Sequence, residues 1–292
     1  MNRTVKRYFP IFVLPTLIAF IIAFAVPFVM GLVLSFTEFR TVTDATFVGF
    51  SNYVRAFTDD KLFINAMWST VKFAVISVIG INVFAFLLAL LFTKELPGTN
   101  FFRTVFFMPN LIGGIVLGYI WQVIINGMLY KYGYSITSSP TYGFWGLVIL
   151  MHWQMIGYMM IIYIAGIQNI PGDIIEAAKV DGANAFVTFF KITMPYMMFV
   201  MTPNLITTFT GNINNFNVIY LLTNGAPACD TYYRGTAGKT DLLVTWLYKL
   251  TIDNKDYNLG AVIGILTFVL MATLSLITYR RTGSYKNEEG FS

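Results

Sequence analysis

Six long stretches without a charged residue constrain this chain more than any other feature of its sequence. An α-helix rises 1.5 Å per residue, so it needs about 20 apolar residues to cross the hydrocarbon core of a bilayer. Within that core a backbone must satisfy its own hydrogen bonds, which favours helices. We therefore predict an all-α membrane protein with six transmembrane helices in one domain over residues 1–292. The predicted spans are residues 11–36, 73–93, 105–126, 144–167, 197–222 and 259–279.

The composition excludes an ordinary soluble protein. Charged residues make up 11% of the chain, against about 25% in soluble domains. The net charge of +5 arises from cations that lie between apolar stretches, so membrane topology explains it better than nucleic acid. The first apolar stretch is longer than the core of a signal peptide, and no small-residue cleavage site follows it. We expect it to be retained as a helix.

The basic residues near the span ends predict the orientation. With six spans, both tails lie on one side, together with the loops around residues 94–104 and 169–196. That side carries ten of the 19 cations and six of the 14 acids, for a net charge of +4, whereas the opposite side has a net charge of +1. We therefore place both termini in the cytoplasm of a cell-membrane protein.

The spans contain no group suited to coupling transport to an ion gradient through a carboxylate. Proton-coupled carriers commonly use Asp, Glu or His at mid-bilayer, and His152 is the only such residue here. The sequence Gly238-Lys239-Thr240 resembles the end of a phosphate-binding loop, but Tyr233 stands where the first glycine is required. Transport energy is therefore expected from outside this chain, although a sodium-coupled carrier stays open.

The predicted cytoplasmic loop of residues 169–196 has readable local chemistry. Asp173 and Glu176 have the spacing of a capping box, which predicts a helix from Ile174 to about Asp181. Gly182 then favours a break, and a second helix is expected to begin near Asn184. A plain interfacial helical hairpin would explain the same pattern.

The whole string, however, resembles a known motif. Glu176-Ala177-Ala178, three further residues and Gly182, followed by Ile192-Thr193-Met194-Pro195, is similar to the loop of permease subunits in binding-protein-dependent ABC importers. Met194 stands where the family usually has Leu. The resemblance implies the type I ABC importer permease fold.

The resemblance also implies a mechanism and a set of partners. In the family the short helix docks into a cytoplasmic ATPase subunit, so the docking residues would be Glu176, Ala177, Ala178, Asp181 and Gly182. The chain would be a transport subunit and not an enzyme, with ATP and Mg bound by two partner ATPases and no cofactor of its own. A second homologous permease and an extracytoplasmic sugar-binding protein would complete the complex. Nucleic acid is not an expected partner.

Further segments resemble the sugar-importer branch of this family, and especially its maltose permease subunits. They are Val48–Tyr53, Phe107–Pro109, Asn212–Phe216 and Leu221–Pro227. The resemblance covers nearly the whole chain. It implies a carbohydrate cargo of the malto-oligosaccharide type.

Amides within the spans point to a neutral polyol independently of the family. Sugars are held by amides that hydrogen-bond hydroxyls, and an amide in a membrane is costly unless it faces protein or water. Interhelical hydrogen bonding would explain any single one of them. By position, the resemblance best supports Asn214 and Asn215, which rank first, and then Gln154 and Tyr158; Asn212 completes the predicted sugar ligands.

The sequence therefore predicts a permease that forms half of a translocation path for oligosaccharides. Three alternatives stay open: a permease for another glycoside, one for glycerol phosphate, and an ion-coupled secondary sugar carrier.

Overall fold

The computed structural model describes residues 3–41, 43–94, 97–227 and 238–281. Cys229 lies outside these ranges, as do Glu95, Lys286, Glu288 and Glu289 of the charge count. About 80% of the described chain is helical, as the run of apolar stretches predicts. The helices are α1 (Arg3–Phe20), α2 (Val26–Leu34), α3 (Ser51–Thr58), α4 (Lys61–Phe92), α5 (Thr99–Phe107), α6 (Gly114–Tyr130), α7 (Pro140–Gln168), α8 (Gly172–Val180), α9 (Ala185–Thr188), α10 (Met194–Ile213), α11 (Phe216–Thr223), α12 (Leu243–Tyr248) and α13 (Tyr257–Arg281).

Several of these helices are joined through short non-α turns. A widened π-helical turn at Ile21–Ala25 links α1 to α2, and another at Phe189–Thr193 links α9 to α10. A third, at Lys249–Asp253, follows α12. A 3₁₀ turn at Met108–Leu111 follows α5. Two short antiparallel strands, β1 (Thr37–Glu38) and β2 (Thr46–Phe47), pair Thr37 with Phe47 and Glu38 with Thr46.

Five helical segments of the described chain are long and apolar enough to cross a membrane. A sixth is present if the bent pair Thr99–Leu111 and Gly114–Tyr130 counts as one span. The five are Ile11–Leu34, Lys61–Phe92, Pro140–Gln168, Ala185–Ile213 and Tyr257–Arg281.

Two of the predicted spans are not single helices. Residues 105–126 bend by 100° between the two members of the pair, where Pro109 and the glycines Gly113 and Gly114 interrupt the helix. Residues 197–222 break at Asn214 and Asn215, and the helix that crosses there starts earlier, at Ala185. Apolar character runs through both breaks, so hydropathy alone does not reveal them.

Backbone contacts divide the chain into two compact units, and the single transmembrane domain over residues 1–292 stays a prediction. The first comprises Met1–Phe63 and Leu247–Phe268. The second comprises Ile64–Trp246 and Val269–Ser292.

In the first unit, polar contacts tie the β1–β2 hairpin and α3 to the start of α13. Arg55 forms a 2.7 Å ion pair with Asp256, and the backbone N–H of Phe39 donates to Oδ1 of Asn258 at 3.0 Å. Helix α3 is amphipathic, because Phe50, Val54 and Phe57 around it are exposed while Asn52 and Ala56 are buried.

The second unit contains two adjoining hydrophobic clusters along α4 and α7. One is built around Phe73, Leu147, Met151 and Ile219, and the other around Ile81, Phe86, Met160 and Tyr163. The helices approach closely at Gly80, where an added Cβ would lie 2.0 Å from Nε2 of His152. This packing fixes the face of α7 on which the candidate site is built.

Candidate functional site

Helix α7 supplies a stripe of side chains that includes two of the predicted sugar ligands. Met151, Gln154, Met155 and Tyr158 are spaced i, i+3, i+4 and i+7, so they share one face of the helix. Met151 and Gln154 are buried, whereas Tyr158 is 37% exposed. The stripe therefore runs from the core of the second unit towards its surface.

The break between α10 and α11 presents the two amides ranked first from the sequence. Asn214 ends α10, and Asn215 caps the N-terminus of α11 by accepting the backbone N–H of Val218 at 3.4 Å. Nδ2 of Asn215 donates to Sδ of Met151 at 3.2 Å, which joins the break to the α7 stripe. Nδ2 of Asn214 donates instead to Sδ of Met271 on α13, at 3.4 Å.

A third amide reaches the stripe from the bend after α5. Asn110 lies in the 3₁₀ turn, and its Nδ2 donates to Sδ of Met155 at 3.7 Å. Asn110 is not among the sugar ligands predicted from the sequence. The signal that could have found it is the helix-breaking Pro109 directly before it, since interrupted membrane helices often carry binding groups.

These three amides share an unusual kind of partner. A thioether sulfur is a weak hydrogen-bond acceptor, so each Nδ2 donor makes a weaker hydrogen bond than it would make to a hydroxyl or carbonyl oxygen. A sugar hydroxyl would be a better acceptor for all three. The arrangement has the chemistry expected of a polyol contact: neutral amide donors beside polarisable, adaptable side chains.

Gln154 and Asn212 lie deeper than the other predicted ligands. Asn212 is 2% exposed and donates to the carbonyl oxygen of Thr208 in its own helix at 2.7 Å. Oδ1 of Asn212 and Oε1 of Gln154 are buried without a hydrogen-bond partner in the described ranges. As ligands, these two residues would need the helices around them to open.

Other polar residues of the spans serve packing. Gln122 donates to the carbonyl of Leu222 at 3.1 Å, and Asn126 accepts the backbone N–H of Ile136 at 2.8 Å. His152 is half-buried and bonded through Nδ1 to the carbonyl of Val148. The bond from Gln122 follows the interhelical explanation of membrane amides, whereas Asn126 holds a loop and His152 bonds within its own helix.

The loop at residues 169–196 has the two-helix form that the sequence predicts. Helix α8 ends in a Schellman motif: the N–H of Ala183 donates to the carbonyl of Ala178, and that of Gly182 to Lys179. Gly182 has φ of +78°, a conformation that favours glycine. Asn184 then caps the next helix by accepting the N–H of Val187 at 2.9 Å.

The proposed capping box at the start of α8 is wrong. The helix begins at Gly172, two residues earlier than that box requires, and its N-cap residue is Pro171. Asp173 therefore lies inside the first turn and makes no capping bond. There its charge still favours the helix dipole.

The predicted docking residues lie on the surface of this loop. Glu176, Ala177, Asp181 and Gly182 are exposed, and Ala178 is partly so. Apolar side chains accompany them: Val180 is 88% exposed and Phe186 70%, and the tilted rings of Phe186 and Phe190 have their centroids 4.6 Å apart. Acidic groups beside exposed apolar groups are the surface expected of a segment that binds another protein.

The helices and this loop define the class of a multi-pass transport permease, and comparisons with known proteins give the family. Residues 81–282 match the model of the binding-protein-dependent transport system inner membrane component. The chain belongs to this family of membrane permease subunits. Its members are transport subunits and not enzymes, and membership sets aside the ion-coupled secondary carrier.

Sugar permeases are among the relatives. The chain is 36% identical over 276 residues to the probable starch degradation products transport system permease protein AmyD of Thermoanaerobacterium thermosulfurigenes, covering 91% of each. It is 32% identical to the galactooligosaccharides transport system permease protein GanP of Bacillus subtilis, covering 94% of this chain and 70% of GanP. It is also 32% identical to the maltose/maltodextrin transport system permease protein MalF of Escherichia coli K12, covering 80% of this chain and 49% of MalF. The prediction of a sugar permease is thereby confirmed.

The fold has a solved counterpart. A chain of a bacterial ABC transporter involved in the import of the acidic polysaccharide alginate superposes with a TM-score of 0.77 at 22% identity. The match covers 96% of this chain and 97% of that one. The predicted ABC importer permease fold is confirmed.

Proposed function

We propose that this chain forms half of the translocation path of an ATP-driven importer of neutral oligosaccharides, with malto-oligosaccharides as the cargo. The observation that carries the cargo class is the set of amide donors on Asn110, Asn214 and Asn215, each held by a thioether alone. The names of AmyD and MalF support a glucose-based oligosaccharide.

The chemistry of the site speaks against the glycerol phosphate alternative. A phosphate calls for Arg or Lys, and the described spans contain no cation beside these amides. Another glycoside is the stronger alternative, since the relative GanP is named for galactooligosaccharides. Neutral amides do not by themselves distinguish the two sugars.

We assign ATPase docking to the surface of Glu176, Ala177, Ala178, Asp181 and Gly182. In this proposal the loop and both termini are cytoplasmic, two partner ATPases bind ATP and Mg, and this chain holds no cofactor. The exposed apolar groups Val180 and Phe186 would be covered on docking. Burying these two side chains would strengthen the binding of the ATPase. Glu176 and Asp181 would pair with cations of the ATPase and so fix the position in which the two proteins bind.

The other partners follow from the family's dependence on a binding protein. An extracytoplasmic sugar-binding protein would deliver the cargo, and a second homologous permease would supply the other half of the path. Asn214 is exposed, and Asn110 and Asn215 are partly so, which suits residues that line a path shared with a second permease.

Uptake in a strain deleted for this chain tests the cargo. Wild-type chain should restore uptake of labelled maltotriose, whereas Asn215→Ser, which keeps an oxygen for the α11 cap, should raise the KM by about 10-fold. Unlabelled galactooligosaccharide and glycerol 3-phosphate serve as competitors. Uptake of labelled galactooligosaccharide with no uptake of maltotriose would replace the cargo and leave the permease assignment intact.

A further inference from the structure

A basic pocket lies where α4 and α7 end and α5 begins. It encloses about 660 Å³ and is lined by Lys94, Gly98, Asn100, Arg103 and Gln168, among others. Gln168 is the last residue of α7, so the pocket lies on the same side as the loop at residues 169–196. None of the residues assigned to cargo or to ATPase docking lines it.

The two cations of this pocket have no acidic partner among the described residues. Lys94 is exposed, and Arg103 is partly buried. One terminal nitrogen of Arg103 donates to the carbonyl oxygen of Phe92, which fixes the guanidinium at the end of α4. Its Nε is buried and has no hydrogen-bond partner in the described ranges. Glu95, the neighbour of Lys94 in the chain, lies outside those ranges.

The position of Lys94 along α4 places the pocket at the membrane surface. The chain carries no charge between Lys72 and Lys94. At 1.5 Å per residue this helical stretch spans about 30 Å, which is the thickness of the hydrocarbon core. Lys94 and the pocket therefore lie at the level of the lipid headgroups.

An exposed apolar surface adjoins the pocket. The ring of Phe102 stacks on that of Phe92 with centroids 6.0 Å apart, and it lies 3.7 Å from the position of a Cβ on Gly98. Phe102 is nevertheless 47% exposed, and its neighbour Phe101 is 67% exposed. A ligand that fills the pocket would thus have apolar side chains beside it.

We propose that this pocket binds the headgroup of an anionic phospholipid, with the acyl chains lying along Phe101 and Phe102. A phosphodiester matches the guanidinium fork of Arg103 and the ammonium of Lys94, and Asn100 and Gln168 can donate to glycerol hydroxyls. Basic pockets between membrane helices are known to hold such headgroups. A small free anion would use the cations but not the exposed rings. The inference rests on the membrane placement of the chain and is independent of the cargo.

Native mass spectrometry of the full chain in neutral detergent tests this assignment. Dioleoyl phosphatidylglycerol should bind at least 10-fold more tightly than dioleoyl phosphatidylcholine. Lys94→Gln should weaken the binding of phosphatidylglycerol about fivefold, which is the effect expected of one cation near an anionic headgroup. Lys131→Gln, which removes an exposed cation outside the pocket, is the matched control and should leave binding unchanged.

Arg103 needs a second variant because it also holds the end of α4. Arg103→Lys keeps the charge and should retain most of the preference for phosphatidylglycerol, whereas Arg103→Gln should lose it. Equal binding of the two lipids to the wild-type chain would overturn the proposal, as would equal losses for Lys94→Gln and Lys131→Gln. Displacement of the lipid by 10-fold excess inorganic phosphate would assign the pocket to a free anion instead.

Discussion

The carbonyl oxygen of Phe106 lies against Gly157, so closely that a Cβ at this glycine would be 1.7 Å away. This contact presses the last turn of α5 onto the middle of α7. It comes one turn before Asn110, and so it sets the height at which the bend meets the α7 stripe. The glycine is required here by close approach and not by its backbone conformation.

Gly157→Ala should therefore displace α5, destabilise the fold and lower the amount of permease in the membrane. Overpacking against a backbone atom cannot be relieved by a rotamer change, so we expect a loss near the upper end of the usual range, about 3 kcal/mol. Protein level in the membrane and uptake of cargo would both fall. Gly127→Ala, at a helical glycine with open space around it, is the control and should leave both at the wild-type level.

Tyr163→Phe should destabilise the second unit. The hydroxyl of Tyr163 donates to Oδ1 of Asn82 at 2.5 Å, and Nδ2 of Asn82 in turn donates to Oγ1 of Thr208 at 3.3 Å. The variant leaves a buried acceptor without its partner, at a cost of about 1 kcal/mol in a membrane. A lower melting temperature of the purified chain, with an unchanged KM for cargo, is the expected result. A raised KM would place Tyr163 in the path.

Asn110→Ala should weaken cargo binding without affecting stability. Its amide makes one hydrogen bond, to the sulfur of Met155, so little is lost in the folded chain. We expect the KM for uptake to rise about 10-fold while the melting temperature stays within about 1 °C of wild type. Asn126→Ala is the contrasting variant, because Asn126 accepts the backbone N–H of Ile136. It should lower stability and spare the KM.

The turn at Gly182 should tolerate substitution according to backbone conformation. At φ of +78°, Asn is accepted far better than a β-branched residue, so Gly182→Asn should keep ATPase docking and Gly182→Val should lose it. Co-purification with the ATPases and cargo-stimulated ATP hydrolysis measure the two steps. Full hydrolysis with Gly182→Val would show that the turn is not needed for coupling.

The hairpin of the first unit should loosen in acid. Oδ1 of Asp44 accepts the backbone N–H groups of Thr41 at 2.8 Å and Arg40 at 3.0 Å, and the hydrogen bond from Thr41 holds the pKa of Asp44 below its usual value. Because the pKa of Asp44 in the folded chain is lower than its unfolded value of about 3.9, the ionised carboxylate contributes its full stabilisation of the hairpin above pH 3.9. It is lost as the pH falls through the folded pKa.

Hydrogen exchange at Thr41 measures this effect. Protection should decline below about pH 4 in the wild-type chain, and Asp44→Ala should remove it at neutral pH. Asp44→Asn, which keeps an acceptor oxygen without the charge, should retain part of the protection and lose its dependence on pH. The same pH dependence in Asp44→Asn would contradict the assignment.

Much of the fold could be predicted because its determinants are local in the sequence. Uncharged stretches of membrane length predict the spanning helices. Gly182 and Asn184 predict where the first helix of the loop ends and the second begins. The bend after α5 could not be predicted to its 100°, because the angle depends on the packing of Phe106 against Gly157. The break at Asn214 is hidden within an apolar stretch.

The candidate site was only partly predictable for a related reason. The sequence identifies amides but not their partners, so it could not separate Asn215, which meets a thioether, from Asn212, which bonds to its own helix. For Asn110, the one sequence signal is the helix-breaking Pro109 that precedes it. Which of these residues touch cargo, and which face of the membrane holds the termini, stay predictions.

In the proposed cargo site, the methionines opposite the three amides would affect the speed of transport as well as recognition. A donor that gives up a sulfur partner loses little when a hydroxyl arrives, and it regains that partner as soon as the hydroxyl departs. Each contact is therefore weak in both directions, and no single step along the lining should trap the cargo. Such a surface suits brief occupancy: a high dissociation rate, and an affinity well below that expected of a protein whose task is capture.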